Sequence, residues 1–431
     1  MVRRAGGRSQ SRFDHPVEEE LLRAEEAAAL LGVKRATLYT YVSRGLVRCV
    51  PEKGTKENRY LRADVERLKT RHDARAGHAA VASGALRWGE PVIDSSVSRI
   101  SEEGLSYRGR DAVELATQGH RFEDVAELLW TGHLPLESTA WPAPEAPPSS
   151  LTPTALAAML PRDTPPLSAL AALVPLLAAS DAGRFAAPVE QDMLRARRLI
   201  RHLGAWVCVA QAPGRVSRAW KEPTVAASLA TAWDAKPKRT AELINLALVL
   251  CADHELNTST FAARVTASSG ADLYACISAA LAAISGHRHG GACDRVEALI
   301  AEVGRPERAA QVVHGRLRRG EAVTGFGHRL YLKGDPRTPP LVDAALSVKP
   351  EAPKVRVARA VMDTMRDAGH PPPSLDWGLV MLADALGLPS GAATVLFSLG
   401  RTAGWVAHVL EQREQGHLLR PRARYVEAPA R

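Results

Sequence analysis

Three segments of this 431-residue chain gather chemically capable side chains inside otherwise apolar surroundings. The first is Ala252-Asp253-His254-Glu255-Leu256-Asn257-Thr258-Ser259-Thr260-Phe261, with Gly286-His287-Arg288-His289-Gly290-Gly291-Ala292 downstream. The second is Gly325-Phe326-Gly327-His328-Arg329-Leu330-Tyr331, closing on Asp335-Pro336-Arg337. The third is Pro371-Pro372-Pro373-Ser374-Leu375-Asp376-Trp377-Gly378. A carboxylate can take a proton, and an imidazole can polarise or protonate an oxygen. A guanidinium group grips a carboxylate with two parallel hydrogen bonds. Taken singly, each residue has an ordinary structural account. His254 suits a buried, satisfied histidine, His289 a helix cap, Asp376 an N-cap region after Ser374, and Asp335-Pro336 a helix start.

The order of the segments narrows the choice. Gly104-Leu105-Ser106-Tyr107-Arg108-Gly109-Arg110-Asp111 and Val125-Ala126-Glu127-Leu128-Leu129-Trp130 precede them. Arg401-Thr402-Ala403-Gly404-Trp405 and Arg420-Pro421-Arg422-Ala423-Arg424-Tyr425 follow. With these motifs in this order, roughly residues 88–427 resemble the citrate synthase family, which includes citrate and 2-methylcitrate synthases. The resemblance implies condensation of acetyl-CoA with oxaloacetate to give citrate and free coenzyme A, with propionyl-CoA giving 2-methylcitrate as the runner-up. It makes Asp376 the base that takes the acyl-CoA α-proton. His289 becomes the donor to the thioester oxygen, and His328 the group that polarises the 2-oxo carbonyl and protonates the alkoxide. Arg337, Arg401 and Arg420 become carboxylate-binding residues, and His254 a further substrate-binding histidine. Arg420 is expected to reach the other subunit of a homodimer. Coenzyme A is expected along the backbone at Val323, Gly325 and Gly327, with Arg329 or Lys333 near its phosphates. It is a substrate, and no bound cofactor is implied.

The residue types suit that reaction independently. A thioester α-proton is very weakly acidic, so a carboxylate can remove it only if the growing oxyanion is stabilised at the same moment. A neutral imidazole can do this, as in the triosephosphate isomerase case. A substrate with two carboxylates calls for several guanidinium groups. The intermediate must also be kept from water, which calls for closure of a small domain, here expected at about residues 292–385. One segment departs from the family pattern Gly-Pro-Leu-His-Gly-Gly-Ala-Asn. Here Pro is replaced by His287, Leu by Arg288 and Asn by Cys293, which bears on the pKa of His289 and on coenzyme fit. The set His254, His287, His289 and Cys293 matches no standard zinc spacing, and no metal is expected.

These residues need a scaffold. Ala and Leu dominate the apolar residues while aromatics make up 5%, which favours helices. The periodicity predicts an all-α body with helices at about 112–131, 166–180, 189–209, 223–235, 238–251, 257–268, 271–285, 291–303, 306–319, 339–347, 354–368, 374–386 and 390–415. The Pro- and Ser-rich stretch 135–166 reads as a long surface loop holding at most one short helix. Five cysteines without metal-knuckle spacing suit reduced thiols and a cytoplasmic location. No apolar run is long enough to span a bilayer, and no apolar stretch follows the basic start as in a signal peptide.

The charge is uneven. The net charge is +9, and residues 1–75 hold 17 Lys and Arg against 11 Asp and Glu, which leaves +3 for the rest. Residues 1–18 read as a disordered tail and 19–75 as a separate small domain, joined through 76–90 to a body reaching 431. Ala24–Leu31 and Lys34–Gly45 read as two helices around a Gly32-Val33 turn, with a closing helix beginning at Tyr60. The pattern EEAAALLGVKRATLYTYVSRG…RYLRADVERL resembles the winged helix-turn-helix domains of MerR and excisionase type. By that reading Lys34, Arg35, Thr37, Tyr39 and Arg44 face DNA, and Lys53, Lys56 and Arg59 form a basic wing. Two classes follow: an active synthase with a tethering or regulatory module, or a DNA-binding regulator whose synthase-like domain senses acyl-CoA or a 2-oxo dicarboxylate. Retention of His289, His328, Asp376 and the arginines favours the first.

Overall fold

The computed structural model describes residues 21–43, 46–51, 58–62, 64–66, 68–69, 93–138, 141–142, 151–185, 188–236, 239–423 and 425. Its contacts divide the chain into one unit ending at Asp94 and another running from Ser95 to Arg431. The expected tail at 1–18, the connection at 76–90, and Arg44, Lys53 and Lys56 lie outside the described residues.

In the first unit, helices Ala24–Leu31 and Arg35–Ser43 meet across a turn at Gly32, whose φ of +66° favours a residue without Cβ. Leu31, Leu38, Val47, Tyr60 and Val65 form the centre of a small core. Strand Asn58–Leu61 pairs antiparallel with Cys49–Pro51 on one side and Leu21–Leu22 on the other. Tyr60 is therefore a buried strand residue opposite Cys49, not the start of a helix, and helical residues begin at Arg62. Sequence-distant pairing overrode the local pattern. Arg48, just before the Cys49–Pro51 strand, grips Asp64 through two side-chain hydrogen bonds of 2.8 and 3.2 Å, which ties that strand to the helical residues after Leu61.

The second unit is helical apart from a three-stranded antiparallel sheet, Ser98–Ser101, Gly104–Tyr107 and Arg110–Asp111. The long helix Ala392–Gln415 runs buried through its middle, between Gly391 and Gly416, both left-handed. It packs on Thr240–Leu250, Thr258–Ser268, Leu273–Ile284 and Leu375–Leu386. Small residues allow the closest approach: a Cβ at Gly400 would lie 2.7 Å from Cys251 Cβ. Arg264, wholly buried, reaches Glu411 at 2.5 Å, Gln412 at 3.0 Å and Gln415 at 2.8 Å, and so fixes the register of Thr258–Ser268 on the long helix.

Two local expectations are corrected. The single helix expected at 112–131 is two, Ala112–Thr117 and Phe122–Thr131. Asn245 holds the break: its amide donates to the His120 carbonyl and accepts from the Phe122 N–H, each at 2.8 Å. The 135–166 stretch does contain a short helix, Pro153–Met159, but Trp141 is not at the surface. Its ring stacks on Trp130 at 5.5 Å, and its N–H bonds Glu127 at 2.9 Å. No helix among the described residues is long and apolar enough to cross a membrane.

Candidate active site

The site begins where the Thr240–Leu250 helix ends. A helix terminus leaves carbonyls without intrahelical partners, and here other elements supply them. Tyr107 points its hydroxyl at the Val249 and Leu250 carbonyls, at 3.1 and 3.2 Å. Arg401 Nε donates to the Cys251 carbonyl and Gly404 N–H to the Ala252 carbonyl, each at 2.9 Å. The chain then turns at His254 and Glu255, and Glu255 has φ of +50°. That backbone is strained for a residue with a side chain. The Glu255 carboxylate accepts the Ile100 N–H at 2.7 Å, which holds the turn against the sheet.

His254 Nε2 lies 3.0 Å from the Tyr331 hydroxyl. The His328 ring is 5.5 Å from that of His254 and 4.8 Å from that of Tyr331. Leu330 N–H donates to His328 Nδ1 at 3.1 Å, so in the neutral ring Nε2 carries the hydrogen and is the donor. Arg337 lies 5.7 Å from the Tyr331 ring centroid. Its Nε and Nη2 grip Asp335 at 2.9 and 2.7 Å, while its buried Nη1 has no partner among the described residues. An incoming carboxylate can supply that partner.

His289 Nε2 is 2.8 Å from Ser259 Oγ, which accepts from Trp405 Nε1 at 3.1 Å and donates its hydrogen to Asn257 Oδ1 at 2.8 Å. The Phe397 ring stands edge-on to His289 at 6.2 Å and under the Arg401 guanidinium at 5.0 Å. Asp376 occupies the first turn of Leu375–Leu386, at the positive end of the helix dipole. Ser374 Oγ donates to its Oδ2 at 2.8 Å, and Cys293 Sγ to its Oδ1 at 3.3 Å.

The Asp376 loop is stitched to the Val323–Gly327 loop. Gly327 N–H donates to the Pro372 carbonyl at 2.9 Å, and Ser374 N–H to the Gly325 carbonyl at 2.8 Å. Trp377 Nε1 donates to the Thr324 carbonyl at 3.1 Å. Gly325 has φ of +84°, and a Cβ there would come within 2.7 Å of Trp377 Nε1. Val323 is buried beneath this loop, and Arg329 and Lys333 are exposed beyond it.

Six of the expected residues thus belong to one continuous neighbourhood. Arg337 and Arg401 act electrostatically on His254, as do His328 and His289, and the charge of Asp376 reaches His328. Arg420 is exposed, and among the described residues it makes none of the contacts that join the others. His287 and Arg288 are exposed, whereas Cys293 is fully buried against Asp376. His289 is not a helix cap, since Gly291 caps the following helix. Sequence reading passed over Ser259, Tyr331 and Ser374 as individual residues, although each stands inside a segment it singled out. It also passed over Phe397, one helical turn before Arg401. A cavity of about 690 Å³ lies elsewhere, with Arg239, Glu242, Asn245 and Asp343 on its walls.

Burial, and then the charge of Arg401, lowers the His289 pKa to about 4. Burial, then Arg337 and Arg401, holds His254 well below its ordinary value, and burial also lowers His328. All three imidazoles are neutral near pH 7, which suits donors rather than cations. In the unfolded chain these rings bind protons near the ordinary 6.5, so acid favours unfolding. The His289 contribution is whole above 6.5 and is lost as pH falls through 6.5 toward about 4, and His254 and His328 act in the same direction. We expect a lower urea midpoint at about pH 5 than at about pH 7.5, with an unchanged slope. A midpoint that holds or rises on acidification would contradict these protonation states.

In the first unit, Lys34 just before the second helix and Arg35 and Tyr39 on it are exposed, and Thr37 is half-buried. Arg35 lies 3.3 Å from Glu25 in an exposed pair. Such pairs are weak and can re-form on an anionic partner. Arg59 stands on the Asn58–Leu61 strand opposite Val50.

Comparison with known proteins bears on both units. The family described as citrate synthase, C-terminal domain, matches residues 85–422, and a helix-turn-helix domain family matches residues 21–73. Citrate synthase 2 of Bacillus subtilis is 31% identical over 360 residues, covering 78% of this chain and 94% of that protein. A 2-methylcitrate synthase 2 of Corynebacterium glutamicum is 29% identical over 354 residues, covering 77% of this chain and 91% of its own. Among solved structures, a ternary complex of Thermoplasma acidophilum citrate synthase with carboxymethyl coenzyme A and oxaloacetate superposes with a TM-score of 0.68. It shares 27% identity and covers 79% of this chain and 95% of that one.

Proposed function

The chain belongs to the citrate synthase family, and from that footing we propose that it condenses acetyl-CoA with oxaloacetate, releasing citrate and free coenzyme A. The observation that carries the proposal is the convergence of Asp376, His289 and His328 with two buried arginines in one neighbourhood. Asp376 takes a proton from the acyl α-carbon while His289 donates to the thioester oxygen, giving an enol. The α-carbon then attacks the ketone carbon of oxaloacetate. His328 Nε2–H polarises that carbonyl and protonates the alkoxide. Water cleaves the thioester and frees coenzyme A, which is a substrate and not a resident cofactor. Arg337 Nη1 and Arg401 hold the carboxylates of oxaloacetate, and His254 orients it. Coenzyme A lies along Val323, Gly325 and Gly327, with Arg329 and Lys333 toward its phosphates. Gly327 N–H is already taken by Pro372, so this loop contributes chiefly through its shape and its remaining backbone groups.

Residues at about 292–385 act as the small domain that closes over the site. Arg420 serves the neighbouring copy of a homodimer, in keeping with its exposure and its separation from the other site residues. The five unpaired thiols suit a reducing cytoplasm. The test is release of free thiol from acetyl-CoA with oxaloacetate, run beside propionyl-CoA. Faster turnover of propionyl-CoA would move the assignment to 2-methylcitrate synthesis, a reading that the Corynebacterium relative supports.

The first unit is proposed to bind DNA through Lys34, Arg35, Thr37, Tyr39 and Arg44, with Lys53, Lys56 and Arg59 on the wing. The exposed basic start of the second helix, next to a paired hairpin, supports this. Because phosphate contacts release counterions, affinity is expected to fall steeply between about 50 and 200 mM salt. Lys34→Ala with Arg35→Ala should flatten that slope by about two. A flat salt response, or no shift with any duplex, would leave the unit as a protein-contact module. Tight DNA binding that depends on acyl-CoA, without turnover, would favour the sensor class.

A further inference from the structure

Cys293 sits in the first turn of helix Ala292–Val303 and is fully buried. Its Sγ is 3.3 Å from Oδ1 of Asp376, and Ser374 Oγ is 2.8 Å from Oδ2. Each carboxylate oxygen thus has its own donor, and the two donors come from different elements. A carboxylate held at both oxygens cannot swing about its Cβ–Cγ bond. Burial, and then the charge of Asp376, raise the thiol pKa well above its ordinary value, so the sulfur keeps its hydrogen and can only donate. Other charged and titratable groups surround the pair. His328 faces Asp376 from the Gly325–Tyr331 loop, and Cys251 from the end of the Thr240–Leu250 helix. Asp294 acts on Cys293 from the same helix turn, and Arg337, Arg401 and Asp335 act on Cys251.

We propose that Cys293 is a positioning residue for the base, its S–H fixing the plane of the Asp376 carboxylate toward the α-proton while withdrawing less of its basicity than an amide or hydroxyl donor would. A hydrogen bond to the charged form lowers a carboxyl pKa, and the thiol is the weakest neutral donor available for that place. An amide there, as in the usual family pattern, or a hydroxyl would orient the carboxylate equally well but leave a weaker base. The proposal rests on Asp376 being the base.

The test compares Cys293→Ala and Cys293→Ser in the full-length protein. Without the donor, kcat for thiol release is expected to fall on the order of tenfold. KM for both substrates should stay within about twofold, since the interaction serves the reacting carboxylate and not ground-state binding. The acid limb of kcat against pH should move up by roughly one pH unit, because the anion has lost a stabilising donor. Serine restores a donor at nearly the same size. It should bring kcat back to within about threefold of the parent and return the acid limb to its original pH or below it. A wild-type rate and acid limb in Cys293→Ala would overturn the proposal. So would alanine and serine variants that are equally slow with an unmoved limb, the mark of a packing role only. Should either variant fold poorly, the S–H stretching band of the parent protein offers a second measurement. Asp376→Ala should shift the Cys293 band to higher frequency, and an unshifted band overturns the contact itself. Near-normal turnover in Asp376→Ala would instead remove the base assignment, which separates the two failures.

Discussion

Asp376→Ala is expected to lower kcat by roughly 10³- to 10⁴-fold, the upper range for a general base. KM for oxaloacetate should stay within about threefold, because the carboxylate acts on the acyl-CoA and on the transition state rather than on the bound dicarboxylate. The loss has a chemical and a structural part. Without the carboxylate the α-proton loses its acceptor: a neutral His328 keeps its hydrogen on Nε2, and the Cys293 thiol is held protonated. The structural part is small. Asp376 lies in an N-terminal turn, where removing a favourable charge costs about 0.3–1 kcal/mol. Thiol release with saturating substrates checks the rate, and exchange of the acetyl methyl protons with deuterated solvent checks the step. Exchange that continues at the parent rate would move proton abstraction to another group.

Arg401→Lys is expected to reduce kcat/KM for oxaloacetate by roughly 10²- to 10³-fold, with a much smaller change for acetyl-CoA. Losing a matched partner of a buried charge commonly costs about 2–5 kcal/mol. Lysine keeps the charge, but the geometry is what counts here. Nε of Arg401 is spent on the Cys251 carbonyl at 2.9 Å, and the guanidinium plane lies against Phe397. That leaves the outer edge of the fork for the ligand, an arrangement that a single ammonium cannot reproduce. Steady-state kinetics with each substrate varied in turn would decide. Equal losses toward both substrates would mean that Arg401 shapes the site rather than binding the dicarboxylate.

The helices were legible in the sequence because most carry a clear apolar period, and the long helix was expected at 390–415 and found at Ala392–Gln415. The site was legible in a different way. His254, His289, His328, Arg337, Asp376 and Arg401 stand on separate segments, and no local spacing brings them together. Their order along the chain did, through likeness to a known family. What escaped were contacts made between segments. Ser259 serves both His289 and Trp405, and Cys293 meets Asp376 from 83 residues away. Trp141 looked like part of a Pro-rich surface loop until the Trp130 ring was found beneath it. Tyr60 resembled a helix start because its partners, Cys49 and Leu22, are distant in sequence. Each of these depends on geometry that one-dimensional spacing does not encode.

The two backbone bonds between Gly327 and Pro372 and between Ser374 and Gly325, with the Trp377 indole on Thr324, have a consequence for anyone who would retool this chain. They weld the segment expected to cradle the coenzyme to the segment that carries the carboxylate. An alteration that shifts one therefore drags the other, and errors of placement are shared instead of accumulating. Swapping only Val323–Gly327 from a relative to change acyl preference would misalign the proton-abstracting step along with the pocket. Residues 323–327 and 371–377 form one exchangeable cassette, and chimaeras should be cut around both together.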